Sequence, residues 1–106
     1  MGEEPMNNLT GFQRDLLYII AGSDEPHGLA VKERADEYYD EEINHGRLYP
    51  NLDTLVDFGL VEKSAKDRRT NMYSLTDMGQ EMIRARREWE DRLSGDEDVQ
   101  NTARFA

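Results

Sequence analysis

The fold of this chain is decided by residues 59–75, which read GLVEKSAKDRRTNMYSL. Residues 60–64 and 71–75 both have the pattern of short strands, and the loop between them, residues 65–70, is polar and basic. Two short strands joined by a polar loop predict an antiparallel β-hairpin. The apolar spacing on either side of this hairpin is helical, so the hairpin separates a helical region from one further helix.

Three helices are predicted before the hairpin. Thr10 can cap the first, and Gln13 three residues later completes a capping box. The second is predicted over residues 29–39, and the third runs from the cap residue Asn44 to a stop at Gly59. The apolar positions of these helices are Phe12, Leu16, Leu17, Ile19 and Ile20, then Leu29, Val31, Ala35 and Tyr38, then Leu48, Leu52, Leu55 and Val56.

A fourth, longer helix is predicted after the hairpin, from the cap residue Thr76 to about Leu93. The order helix, helix, helix, hairpin, helix predicts a mostly α fold with a small β-hairpin, the winged helix-turn-helix. In that arrangement the third helix enters the major groove and the wing meets the DNA backbone. The predicted divisions are a disordered N-terminus (1–8), a winged-helix DNA-binding domain (9–76), a C-terminal dimerisation helix (77–93) and a flexible acidic tail (94–106).

The charge of the chain is unusual for a DNA-binding protein. It has 23 acidic and 13 basic side chains and a net charge of -10, whereas such proteins are usually basic. The only positive stretch is residues 60–75. Only three of the basic residues are lysine, a composition typical of proteins from salt-loving microbes, although an ordinary acidic cytosolic domain remains the alternative. We expect inorganic ions on the acidic surface.

Several classes of protein do not fit this composition. The chain has no cysteine, which excludes disulfides and Cys-ligated zinc. It has neither a long apolar run nor a signal peptide, so we expect a cytoplasmic protein without a membrane partner. The two histidines, His27 and His45, lack metal-ligand spacing, and no catalytic constellation is apparent. We therefore expect no enzyme activity, no metal and no cofactor.

Three motifs carry a family resemblance. They are GRLYPNL at residues 46–52, FGLV at 58–61 and YSLTDMG at 73–79. In this order and spacing the chain resembles the PadR family of transcriptional regulators, of haloarchaeal type, over about residues 9–93. The resemblance implies a dimeric winged-helix repressor or activator on a pseudo-palindromic operator. The C-terminal region is short, so a small-molecule effector is not expected. A role in stress response is a hypothesis that no residue indicates.

The third helix and the wing supply most of the candidate DNA contacts. Arg47 can pair bidentately with guanine and Asn51 with adenine; the alternatives are a phosphate contact for Arg47 and a solvated Asn51. Matching tyrosines in the family imply a phosphate contact for Tyr49, which could instead fill the seam between helices. The predicted DNA-binding residues are Asn44, His45, Arg47, Tyr49, Asn51 and Thr54 on the third helix, Lys66, Arg68, Arg69 and Thr70 on the wing, and Lys32 on the second helix.

The last helix carries an apolar stripe whose spacing is close to a heptad. This stripe predicts a homodimer interface, with packing inside one chain as the alternative. The predicted interface residues are Phe12 and Leu16 on the first helix and Met78, Met82, Ala85, Trp89 and Leu93 on the last.

A different class of function is also open at this stage. The acidic surface could serve a protein-binding winged helix or a mimic of DNA. A DNA mimic has no use for three cations on its wing tip, which favours binding of double-stranded DNA.

Overall fold

The computed structural model describes residues 6–95. The elements are a 3₁₀ turn (Met6–Asn8), α1 (Gly11–Ala21), α2 (Gly28–Tyr39), α3 (His45–Asp57), β1 (Val61–Ala65), β2 (Asn71–Leu75) and α4 (Asp77–Ser94). This order confirms the predicted winged helix-turn-helix. No helix among these residues is long and apolar enough to cross a membrane.

The chain ends differ in part from their prediction. Residues 6–8 are ordered, because Met6 is buried in the core and starts a 3₁₀ turn. Disorder over residues 1–8 was therefore wrong for this part, and Ser94, assigned to the tail, instead completes α4. The rest of the predicted disordered start and acidic tail, residues 1–5 and 96–106, lies outside the described residues.

Side-chain caps begin α1, α3 and α4 where the sequence predicts them. The Thr10 hydroxyl accepts a hydrogen bond from the amide of Gln13, whose side chain accepts one from the amide of Thr10. The side-chain oxygens of Asn44 and Thr76 cap α3 and α4 by accepting hydrogen bonds from the amides three residues on. The cap of α2 is the ring of His27, which accepts from an amide at 3.1 Å, so this helix starts one residue earlier than predicted.

The core lies between α1, α3 and the inner face of the hairpin. Its centre is made of leucines from α1 and α3 that have no exposed surface. On α2 only part of the predicted apolar face points inward, since Leu29 is 54% and Tyr38 69% exposed. The face is rotated because Val31, Lys32 and Ala35 take the buried positions.

Three residues assigned to a dimer interface belong to this core instead. Phe12, Leu16 and Met82 are 8%, 0% and 9% exposed in the single chain. A side chain already buried in its own core has almost no surface left to bury against a partner, so these three assignments were wrong. On α4 Met78 is half-buried against the core, while Ala85, Trp89 and Leu93 are exposed.

The hairpin is an antiparallel pair with a well-defined tip. Val61 pairs with Leu75 and Ala65 with Asn71. The Asp67 carboxylate closes the tip by accepting hydrogen bonds from the amides of Arg69 and Thr70, both at 2.9 Å. These amides hold the pKa of Asp67 below its ordinary value, so this carboxylate stays charged while it shapes a basic loop.

The start of α4 is attached to the turn between α3 and β1 by hydrogen bonds of Thr76. The Thr76 hydroxyl donates to the carbonyl of Gly59 at 2.6 Å, and the Thr76 amide donates to the carbonyl of Leu60 at 3.1 Å. A Cβ added to Gly79 would lie 2.2 Å from the same Leu60 oxygen. Glycine is thus required at position 79 by a close approach of two backbones.

We expect Gly79→Ala to lower the free energy of unfolding by about 1–3 kcal/mol, because α4 must move away from the Leu60 carbonyl. Gly11→Ala is the matched control, since nothing lies within 4 Å of a Cβ at that helix start. Urea titrations followed by circular dichroism in molar KCl measure both. Equal stabilities of the two variants would show that the contact at Gly79 is dispensable.

Candidate nucleic-acid interface

Helix α2, helix α3 and the wing meet at one open cavity of about 290 Å³. Tyr49 from α3 reaches the start of α2, where a Cβ on Gly28 would lie only 2.6 Å from the tyrosine hydroxyl. The cavity therefore depends on glycine at position 28. Its lining residues are His27, Gly28, Leu29, Tyr49, Arg69, Thr70, Asn71 and Tyr73.

The base of the wing is tied to the start of α2, which holds this cavity in shape. The amide of Tyr73 donates to the carbonyl of Pro26 at 2.9 Å, and His27 forms a β-bridge with Met72. Tyr73 is 2% exposed, and burial raises its pKa to about 12. This tyrosine is an uncharged structural residue, whereas Tyr49 is half-buried and reaches the cavity.

The wing tip presents cations to solvent. Lys66, Arg68 and Arg69 are all exposed, and within residues 6–95 none of them has an acidic side chain within ion-pair distance. Lys63, further down the strand, instead pairs with Asp53 at 3.3 Å. The tip cations are therefore available to an outside anion, as the sequence predicts for a wing.

Arg47, the predicted reader of guanine, rests on α1 in the absence of a ligand. Its Cζ lies 3.9 Å from the centroid of the Phe12 ring, and its Nη1 is 3.8 Å from the Glu41 carboxylate. A cation–π contact at an exposed site contributes about 0.5–1 kcal/mol to stability. An exposed ion pair contributes about 0–1 kcal/mol. The side chain is 45% exposed, so a bidentate contact to a base is strong enough to compete for it.

The other candidate side chains on α3 already have contacts within the protein. Asn51 is held by two hydrogen bonds, one from Gln13 and one to the carbonyl of Arg47. The Thr54 hydroxyl donates to the carbonyl of Pro50 at 3.1 Å. Asn44 uses its side-chain oxygen for the cap, and the exposed His45 ring lies 5.6 Å from that of Tyr49.

Lys32 is not placed for DNA contact. It is 8% exposed, and its ammonium lies 2.8 Å from the Asp36 carboxylate and 3.5 Å from that of Glu42. Asp36 also accepts a hydrogen bond from the amide of Ile43 at 2.7 Å. The predicted phosphate role was wrong because Lys32 lies on the inner face of α2, where it joins that helix to the turn before α3.

The acidic surface is concentrated at the end of α2 and in the following turn. It borders the interface, since Glu41 belongs to it and pairs with Arg47. Among the described residues no three His, Asp or Glu side chains are grouped to hold a metal ion. The residues of this acidic surface are Glu33, Glu37, Asp40, Glu41 and Glu42.

Sequence reasoning missed three residues that shape this interface. They are Gln13, which was recognised only as part of a helix cap, and Glu41 and Gly28, to which no role was assigned. The sequence contained no signal for Gly28, because a glycine at the first position of a helix can lack any packing contact, as Gly11 does. The contacts of Gln13 and Glu41 span different helices and leave no pattern in the sequence.

The sequence pattern of the Transcriptional regulator PadR-like family matches residues 16–85. The chain belongs to this family. This result confirms the resemblance seen in the three motifs, and it makes the protein a transcriptional regulator of PadR type. A comparison with curated protein sequences found no match.

Solved structures of a haloarchaeal regulator of this type are similar over almost the whole chain. The protein chain in the complex structure of hsRosR-S1 is 44% identical in sequence to this chain. The two structures superpose with a TM-score of 0.82, over 93% of this chain and 88% of that chain. RosR of H. salinarum grown from NaBr is 42% identical, with a TM-score of 0.76, over 93% and 97%. MarR, at 24% identity and a TM-score of 0.61, over 92% and 73%, shares the fold.

We expect Lys32→Met to destabilise this PadR-type protein near neutral pH, because Asp36 loses the cation that holds its pKa below its ordinary value. A lowered carboxyl pKa stabilises the fold above the unfolded pKa, and this contribution disappears as pH falls through the folded pKa. The stability difference from the unsubstituted protein should therefore narrow below about pH 4. Melting curves from pH 3 to 7 measure it, and a difference independent of pH would contradict the role of Asp36.

Proposed function

We propose that this protein is a sequence-specific DNA-binding regulator that acts as a homodimer on a pseudo-palindromic operator at high salt. The observation that carries the proposal is the cavity shared by α2, α3 and the wing, because the three elements there present hydroxyl, guanidinium and amide groups together. The function involves binding and no catalysis. The same hypothesis includes a cytoplasmic location and a role in stress response.

The groups that line the cavity are suited to bind a DNA phosphate. The guanidinium of Arg69 and the hydroxyls of Tyr49 and Thr70 line it, and the first amides of α2 begin at Gly28. Hydroxyls, guanidinium groups and helix N-termini are common phosphate partners in protein–DNA complexes. A phosphate bound here would fix the register of α3 in the major groove, while Lys66 and Arg68 on the tip contact the flanking backbone.

Base reading is assigned to the exposed side of α3. Arg47 suits the O6 and N7 atoms of guanine, and Asn51 suits the N6 and N7 atoms of adenine. Asn44 and His45 at the start of the helix, with Thr54 one turn beyond Pro50, are further contact candidates. Asp53 pairs with Lys63 instead, which reduces its repulsion of nearby phosphates.

The dimer is assigned to the far half of α4. Trp89 is 42% and Leu93 66% exposed, and Arg86 lies 4.3 Å above the Trp89 ring. Tyr18 on α1 is 38% exposed, and its pKa is raised by burial and by the charge of Glu90, a residue of this half of α4. Large exposed aromatic and aliphatic side chains on a projecting helix are typical of a protein interface.

High salt allows an acidic protein to bind DNA, because it screens the repulsion between the two negative charges. Each protomer has a net charge of -10, which repels DNA in dilute buffer. At about 1 M salt the Debye length is only about 3 Å, so this long-range repulsion is screened. Charge-assisted hydrogen bonds at short range then determine recognition, and cations between carboxylates and phosphates can be taken up on binding.

The test of DNA binding is a selection of random-sequence duplexes by the full chain in molar KCl. We expect Arg69→Gln to weaken binding to all duplexes alike. It should also reduce the slope of log affinity against log salt concentration by about 0.9 for each phosphate that the variant no longer neutralises.

Arg47→Ala should instead relax the preference at one base pair, by about 1–3 kcal/mol. An equal loss on selected and scrambled duplexes for Arg47→Ala would rule out base reading. If only a basic protein bound the acidic surface, the protein-binding alternative would replace the proposal.

We expect Trp89→Ala to shift the protein from dimer to monomer and to weaken operator binding in parallel, because one half-site offers few contacts. Light scattering at micromolar concentration in molar KCl measures the mass. Leu29→Ala is the control for the mass, since this exposed apolar residue lies at the start of α2, outside the assigned interface. A stable monomer of the unsubstituted protein would overturn the dimer.

A further inference from the structure

We propose that Gln13, on α1, is the residue that positions Asn51 for the recognition of adenine. This inference rests on the proposed function, because it concerns how the regulator reads a base. Gln13 is 9% exposed and lies on a helix that does not enter the groove in the proposed complex. It acts through Asn51 and has no contact with DNA of its own.

A relay of hydrogen bonds joins the start of α1 to α3. The amide of Thr10 donates to Gln13 Oε1 at 3.0 Å, and Gln13 Nε2 donates to Asn51 Oδ1 at 2.9 Å. Asn51 Nδ2 in turn donates to the carbonyl of Arg47 at 2.7 Å. The three links have ordinary hydrogen-bond lengths.

The two ends of the relay are backbone groups, and they set its direction. The Thr10 amide can only donate, so it selects the Gln13 orientation in which the carbonyl oxygen faces it. The Arg47 carbonyl can only accept, so it selects the Asn51 orientation in which the NH₂ group faces it. A flip of either side-chain amide would place two acceptors or two donors against each other.

The relay leaves Asn51 with the groups that adenine needs. A side-chain amide has two N–H donors and two oxygen lone pairs, and the relay uses one of each. One donor and one acceptor remain, in a defined orientation, and adenine offers N7 as acceptor and N6 as donor in the major groove. An orientation held before binding also lowers the cost of ordering this side chain at the interface.

The isosteric substitution Gln13→Glu separates this role from the helix cap. Glutamate at this position still completes the capping box, but a carboxylate cannot donate to Asn51 Oδ1. The probe is a pool of random-sequence duplexes selected by the full chain in molar KCl. We expect Gln13→Glu and Asn51→Ala to lose the same adenine preference, about 5- to 150-fold at one position in each half-site.

Two control variants test whether the added charge or a less stable helix causes the loss of adenine preference in Gln13→Glu. Gln80→Glu adds the same charge at an exposed position of α4 and should keep the adenine preference. Thr10→Ala removes the hydroxyl of the cap but keeps the backbone amide that orients Gln13, so it should lower the melting temperature and keep the preference. If Gln13→Glu does not fold, Gln13→Met tests the same removal of the donor.

A combined variant decides whether Gln13 acts through Asn51. In the Asn51→Ala background, Gln13→Glu should change no base preference. Retention of the adenine preference by Gln13→Glu, or a new shift in the Asn51→Ala background, would overturn the inference. Selected duplexes without an Asn51-dependent adenine would also overturn it, whereas failure of the unsubstituted chain to select any sequence would count against the proposed function itself.

Discussion

The packing of the leucine face of α3 onto α1 is the contact on which the rest of this structure depends. Leu48, Leu52 and Leu55 have no exposed surface, and burial of each contributes about 1.5–3 kcal/mol. Because these residues recur at helical spacing, their burial fixes the rotation of α3 about its axis. The flank of α3 next to α1 then carries Arg47 and Asn51, and both side chains contact that helix.

This rotation makes α1 part of the proposed recognition surface although it is a core helix. Phe12 lies under the Arg47 guanidinium, and Gln13 holds the Asn51 amide. Phe12 and Gln13 are themselves almost fully buried, so their positions are set by the core. Changes in the packing of α1 are therefore expected to alter base preference as well as stability.

The distribution of ion pairs explains how an acidic chain keeps a basic contact surface. Lys32 and Lys63 are neutralised by carboxylates close by, whereas the wing-tip cations are held by a loop whose only acid, Asp67, is turned to backbone amides. On the candidate interface, the wing-tip cations therefore keep their positive charge available, and Arg47 has only an exposed ion pair with Glu41. At high salt such local charges act through hydrogen bonds of fixed geometry, since long-range attraction is screened.

The sequence by itself determined the element order, the capped helix starts and the position of the wing. These features depend on local rules: a cap bonds to an amide three residues on, and apolar spacing identifies a helix or a strand. The same rules did not reveal that Lys32 is buried, that Phe12 and Leu16 serve their own core, or that Leu29 and Tyr38 are exposed. Those outcomes were decided by the tertiary structure, because the rotation of a helix depends on what it packs against. Gly28, Gln13 and Glu41 became part of the interface for the same reason, since each contacts a residue on another helix.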